Sequence, residues 1–103
     1  MKRILLACSA GMSTSLLVTK MKEAAEAKGI DVEIWAVAQD KAPKDMERAD
    51  VLLIGPQMRF MKKKFGVTAA EVGIPLDVID PMAYGRVDGE AVLNKAIELI
   101  DGK

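Results

Sequence analysis

The sequence contains no histidine. That absence removes Cys-His nucleophilic pairs, phosphohistidine on this chain and histidine-rich metal sites. Cysteine occurs once, as Cys8. No internal disulfide can form, which fits a reducing compartment, and one cysteine without histidine is too few ligands for structural zinc. Long apolar runs are missing too. None approaches the roughly 20 residues that span a bilayer, and Ile4–Ala7, behind Met1-Lys2-Arg3, is too short for a secretory core. Net charge is also absent, because 15 Lys and Arg balance 15 Asp and Glu. Bulk electrostatics therefore gives no reason for a nucleic acid or a membrane surface as partner. The absences together predict a cytoplasmic protein without metal or cofactor that docks through local patches. The densest such patch is Arg59, Lys62, Lys63 and Lys64.

What is present is an ordinary apolar half in a chain of 103 residues, enough for one packed domain, residues 1–103, and too little for two. No repeat, linker or low-complexity tract interrupts it. Ile4-Leu5-Leu6-Ala7 reads as a strand buried on both faces. Leu17, Met21, Ala24 and Ala25 recur at helical spacing, with Gly29 as terminator. Val32 to Val37 reads as a second strand, whose charged Glu33 suggests the sheet edge. Asp40 to Arg48 is helical only if Pro43 lies in its first turn. Val51 to Ile54 is a third strand, closed by Gly55-Pro56. Met58, Met61 and Phe65 mark another helix face, and Thr68-Ala69-Ala70-Glu71 has the capping-box spacing of one more helical start. Leu76 to Ile79 is a fourth strand, and Asp88 caps a last helix facing inward through Leu93, Ala96, Ile97 and Ile100. The expected fold is α/β: a doubly wound, four-stranded parallel sheet with helices on both faces and a phosphatase-like phosphate loop after the first strand.

Such sheets bind ligands beyond the carboxyl ends of their strands, where the strand order reverses. The loop after the first strand is Cys8-Ser9-Ala10-Gly11-Met12-Ser13-Thr14-Ser15. Its small residues let several N–H groups turn toward one point, and Gly11 permits a tight or left-handed turn. Ser9, Ser13, Thr14 and Ser15 add hydroxyls. A helix starting near Ser13 or Thr14 adds its unpaired N–H groups and the positive end of its dipole. The result is an anion cradle of phosphate size, with Cys8 at its lip. Converging amides and a helix N-terminus favour thiolate over thiol. A thiolate there is equipped for in-line attack on phosphorus, with the amides holding the transferring group's oxygens. A cysteine closing a strand can also be a small inert hydrophobe, but four hydroxyls and a glycine have no packing reason to gather beside one.

A cysteine after the first strand also describes low-molecular-weight cysteine phosphatases and arsenate reductases. Those use Cys-x5-Arg, whereas the sixth position after Cys8 is Thr14. No arginine lies in this loop, and no further cysteine exists to resolve a redox cycle. A loop that binds phosphate without arginine suits a carrier, which accepts a phosphoryl group without hastening its loss to water.

Four stretches, Cys8-Ser-Ala-Gly-Met-Ser-Thr-Ser-Leu-Leu-Val18, Ile54-Gly-Pro-Gln57, Val78-Ile-Asp80 and Tyr84-Gly-Arg-Val-Asp-Gly89, carry a resemblance that runs from Met1 to Lys103. The chain resembles the enzyme IIB component of the lactose/cellobiose/chitobiose class of the bacterial sugar phosphotransferase system. The resemblance implies a phosphotransferase in which Cys8 becomes phosphocysteine. A phosphohistidine on enzyme IIA would be the donor. The acceptor would be a sugar held by the membrane permease, enzyme IIC, with which the chain associates peripherally. It implies a β-linked disaccharide such as cellobiose or chitobiose, with specificity residing largely in the permease.

Outside the loop, Gln57 follows the third strand and so lies at the same end of the sheet as Cys8. Its amide can touch the phosphoryl group or a partner, or merely cap a helix. Tyr84, the only tyrosine, can contact the loop or pack on its own. Asp88 is a further candidate contact that reads better as a helix cap, and Asp80 before Pro81 reads as a turn-fixing residue. Met12, Met58, Met61 and Met82 lie near strand exits. Exposed, they would make an adaptable docking surface; at helical spacing, Met58 and Met61 read better as core. Lys62 to Lys64 reads as a solvated face.

Overall fold

The computed structural model describes residues 1–8 and 11–102, with residues 11–13 described through their backbone alone. Strand β1 (Lys2–Cys8) runs into helix α1 (Gly11–Lys28), then β2 (Val32–Ala38). A short α2 (Ala42–Asp45) with Pro43 in its first turn continues as a 3₁₀ turn, Met46–Arg48. After β3 (Val51–Ile54) come a 3₁₀ segment, Pro56–Met61, and α3 (Lys62–Val72). β4 (Leu76–Val78), α4 (Pro81–Gly85) and α5 (Gly89–Asp101) complete the chain.

All strand pairs are parallel, in the order β2-β1-β3-β4. β1 is central because its residues are apolar on both faces. Ile4 and Leu6 enter a core with Leu17, Met21 and Ala25 of α1 and with Val92, Leu93 and Ala96 of α5. Leu5 and Ala7 point the other way, into a second core with Ala42, Met46, Met58, Phe65 and Ala69. The period-2 alternation of a strand thus divides one continuous apolar run between two helix layers. Glu33 sits on β2, an edge strand as its charge suggests.

Gly29 ends α1 as read, with φ of 69° in the left-handed region that glycine enters freely, and Gly73, which the sequence reading did not single out, ends α3 in the same way with φ of 80°. Asp88 caps α5, its Oδ1 accepting from the N–H of Ala91 at 3.1 Å. Asp80 caps α4 in the same way, its Oδ2 accepting from Ala83 at 3.0 Å.

Three expectations are corrected. Thr68 starts no helix; it lies inside α3, which is unbroken from Lys62 to Val72. The capping-box spacing there had no chain break before it, and Gly66 is accommodated within the helix. α1 begins at Gly11 rather than at Ser13 or Thr14, so this glycine is the first residue of a helix. The fourth strand is shorter than expected, because Ile79 leaves the strand although its N–H still donates to Ile54 at 2.8 Å.

Candidate functional site

The chain moves outward from β1 to β2, then crosses back to β3 on the other side. The carboxyl ends of β1 and β3 are therefore the point where the strand order reverses, which is where sheets of this kind bind ligands. Cys8 is the last residue of β1, paired across with Ala38 of β2. On its other side the N–H of Gly55, just past β3, donates to the carbonyl of Ala7 at 3.1 Å. Gln57 follows within two residues. The sequence alone could align these segments in order; the sheet register brings them side by side.

Three of the candidate residues meet. The Tyr84 hydroxyl lies 3.4 Å from Thr14 Oγ1, across 70 residues of sequence. Gln57 Nε2 donates to the same Tyr84 oxygen at 3.3 Å. Tyr84 is carried there by α4, which Asp80 caps, and its own N–H donates to the Asp80 carbonyl at 2.9 Å. Gly55 makes room for the amide: a Cβ at that position would lie 2.8 Å from Gln57 Oε1. One hydroxyl thus joins the first turns of α1, the segment after β3 and α4.

Thr14 is 1% exposed, the buried polar residue among the described residues of the core. Ser15 beside it is exposed, and its carbonyl accepts from Thr19 Oγ1 at 3.1 Å. Ser9 and Ala10 lie outside the described residues, as do the side chains of Met12 and Ser13, and Gly11 is described through its backbone. Asp88 serves α5 as its N-cap. Met58 is core, while Met82 is exposed and Met61 half-buried. Lys62, Lys63 and Lys64 are exposed, as a solvated face should be.

Cys8 is not at a lip. It is 1% exposed and belongs to the second core, with Ala42, Met46 and Met58. Burial at a strand end is what packing alone produces, so the thiol's exposure does not assign its role. A groove of about 750 Å³ opens elsewhere, beside the β4 edge, lined by Val78, Val92, Arg59, Lys62 and Lys95 and by neither Cys8 nor Tyr84.

Residues 3–95 match the family described as "PTS system, Lactose/Cellobiose specific IIB subunit". The chain belongs to this family. It is 57% identical, over 97% of each chain, to the PTS system oligo-beta-mannoside-specific EIIB component of Bacillus subtilis. It is 44% identical, again over 97% of each, to the cellobiose-specific EIIB component of Lactococcus lactis. Among solved structures, the cellobiose-specific phosphotransferase IIB component of Borrelia burgdorferi superposes with a TM-score of 0.83 at 40% identity. That match covers 99% of this chain and 94% of that one. This IIB chain is therefore a component of a sugar-specific phosphotransferase system, working with the other components of such a system. No helix among its described residues is long and apolar enough to cross a membrane.

Proposed function

We propose that Cys8 is the phosphoryl carrier of this IIB chain. Its Sγ attacks the phosphorus of a phosphohistidine on enzyme IIA, so that the P–N bond breaks as the S–P bond forms. A hydroxyl oxygen of the sugar held by enzyme IIC then attacks the same phosphorus. The S–P bond breaks, the thiolate leaves, and the hydroxyl proton passes to solvent or to the permease. The observation that carries this reading is the place of Cys8. It ends the central strand where the strand order reverses, three residues before α1 begins, and α1 offers unpaired N–H groups to an anion. Thr14 in place of the phosphatase arginine supports carrying over hydrolysis. Loop residues Ser9 to Ser15 would hold the phosphoryl oxygens, chiefly through backbone N–H groups.

Burial of the thiol favours one refinement: docking of a partner uncovers Cys8, so the phosphoryl group is shielded from water between the two transfers. The test is intact-mass analysis of the chain mixed with phosphorylated enzyme IIA. A gain of about 80 Da is expected on the wild type and none on Cys8→Ser. An unchanged mass with a charged donor would leave Cys8 as a packing residue and end the proposal.

The sugar is proposed as a β-linked oligosaccharide, because relatives across 97% of the chain are named for oligo-β-mannosides and cellobiose. Membranes carrying the permease should phosphorylate mannobiose or cellobiose when this chain and phosphorylated enzyme IIA are added together. Phosphorylation of an α-linked disaccharide in preference to both would refute the substrate class.

A further inference from the structure

We infer that the groove beside β4 binds a soluble amphipathic monoanion, and that its occupant holds Cys8 covered. The effect on phosphoryl transfer rests on the proposed relay; the binding itself does not.

The groove, at about 750 Å³, has the size of a small-molecule site. Its floor belongs to the core. Leu53, Ile79 and Val92 line it, and their exposures are 1%, 4% and 3%. Its rim is cationic, through Arg59, Lys62 and Lys95. Two carboxylates face those cations. Asp77 stands 3.9 Å from Lys62 and 3.7 Å from Lys95. Asp80 is turned to α4, its Oδ2 accepting from Ala83. Three cations against two carboxylates leave one positive charge, and Arg59 pairs with no carboxylate among the described residues. An apolar floor takes an apolar body, and the unmatched guanidinium takes one anionic head through charge-assisted hydrogen bonds. A polyanion would instead meet Asp77 and Asp80.

The link to Cys8 runs through the segment Pro56–Met61. Pro56 and Arg59 line the groove. Met58 lies between them and packs in the same core as Cys8. The segment is no continuous helix, because Met58 breaks it with φ −112° and ψ 16°. The cover is therefore two short turns and not one rigid rod. Uncovering the thiol for a partner moves these turns and takes Pro56 and Arg59 out of the groove. A ligand that binds only the closed arrangement opposes that movement by mass action.

The probe is anilinonaphthalene sulfonate, two apolar ring systems with one negative charge. It should bind the native chain with amide NMR shifts at Val78, Ala83, Val92 and Lys95. Phenylnaphthylamine, which lacks the sulfonate, should bind about tenfold more weakly, and Arg59→Gln should remove that difference. Ala91 is an exposed position of α5 that also lines the groove, and Ala91→Leu should block both dyes. With the sulfonate dye at about ten times its Kd, maleimide labelling of Cys8 should slow about tenfold, and charging by phosphorylated enzyme IIA should slow with it. Equal binding of the neutral dye would overturn the anion site, as would shifts that miss the groove. A polyglutamate peptide that displaces the dye at lower concentration than octyl sulfate does would assign the groove to an acidic protein segment and overturn the small ligand. Bound dye with unchanged labelling would overturn the cover. Failure of the relay reads differently: the wild type would take no phosphoryl group with or without dye, while the dye would still protect Cys8 from the maleimide.

Discussion

Two single residues set limits on how this site can be built. Cys8 is sealed into the core at 1% exposure, which makes its reactivity a measure of protection. Alkylation by a small maleimide should be slower on the native chain than on the urea-unfolded chain by on the order of 100-fold, since reagent reaches it only through local opening. Equal rates would show that the thiol is open, and partner-gated access would fall with that result. Gly89 is the second case. A Cβ there would lie 2.3 Å from the carbonyl carbon of Lys20 and 2.5 Å from the nitrogen of Met21, so α5 begins in backbone contact with α1. Neither neighbouring atom is the tip of a flexible side chain, and relief requires the two helices to part. Gly89→Ala should cost about 2 to 3 kcal/mol, read from the urea midpoint at constant m-value. Part of that cost reaches the site, because α1 also carries Thr14. A midpoint unchanged by the alanine would mean that the two helices separate freely at this point.

At the level of elements, the weak place is β4, three residues long and at the sheet edge. An edge strand presents unpaired backbone groups to other chains. Here Asp77 covers one of them: its Oδ1 accepts from the N–H of Val78 at 2.8 Å. Lys62 of α3 and Lys95 of α5 stand 3.9 and 3.7 Å from the same carboxylate. Asp77→Ala should therefore cost about 1 to 2 kcal/mol and raise light scattering on heating, while Asp77→Asn, which keeps the acceptor, should cost less. Equal losses would assign the effect to charge and leave the N–H cap without weight. Elements such as β3 and the Asp88 cap were legible in the sequence because their causes are local. A continuous apolar run needs cover on both faces, and an aspartate side chain reaches the amide three residues on. Thr68 misled because a local cap pattern has no force inside a helix already started at Lys62. What the sequence could not show was anything made by register or approach: the burial of Cys8, the contact of Gly89 with α1, and the meeting of Thr14 with Tyr84 across 70 residues. Cys8, Gln57 and Tyr84 could be chosen as candidates from type and strand end, but not their geometry.

For the whole molecule, the decisive fact is that the site straddles both cores. Cys8 packs with the α2 and α3 layer, whereas Tyr84 packs with the α1 and α5 layer. Their relative placement is held by β1 and β3, whose alternate residues enter opposite cores. Leu5 belongs to one and Ile4 and Leu6 to the other, and Leu52 and Leu53 divide in the same manner. Neither layer can melt without stripping cover from the strands that support its counterpart, so the chain should unfold in one transition. The single tryptophan reports on this directly. Trp35 is half-buried on β2, its Nε1 donating to Asp45 Oδ2 at 2.9 Å and the Arg48 guanidinium 4.7 Å above its ring. Its fluorescence therefore follows the α2 side, while far-UV circular dichroism follows helices on both sides, α1 and α5 included. The two urea transitions should coincide. The sharper case is Gly89→Ala, which wounds only the α1–α5 side: the Trp35 transition should shift by the same amount as the helical one. If Trp35 held its wild-type midpoint while the helical signal moved, the layers would be separate folding units. Thr14 and Tyr84 could then loosen without disturbing Cys8. If the shifts are equal, any strain placed on one layer is felt at the thiol through β1.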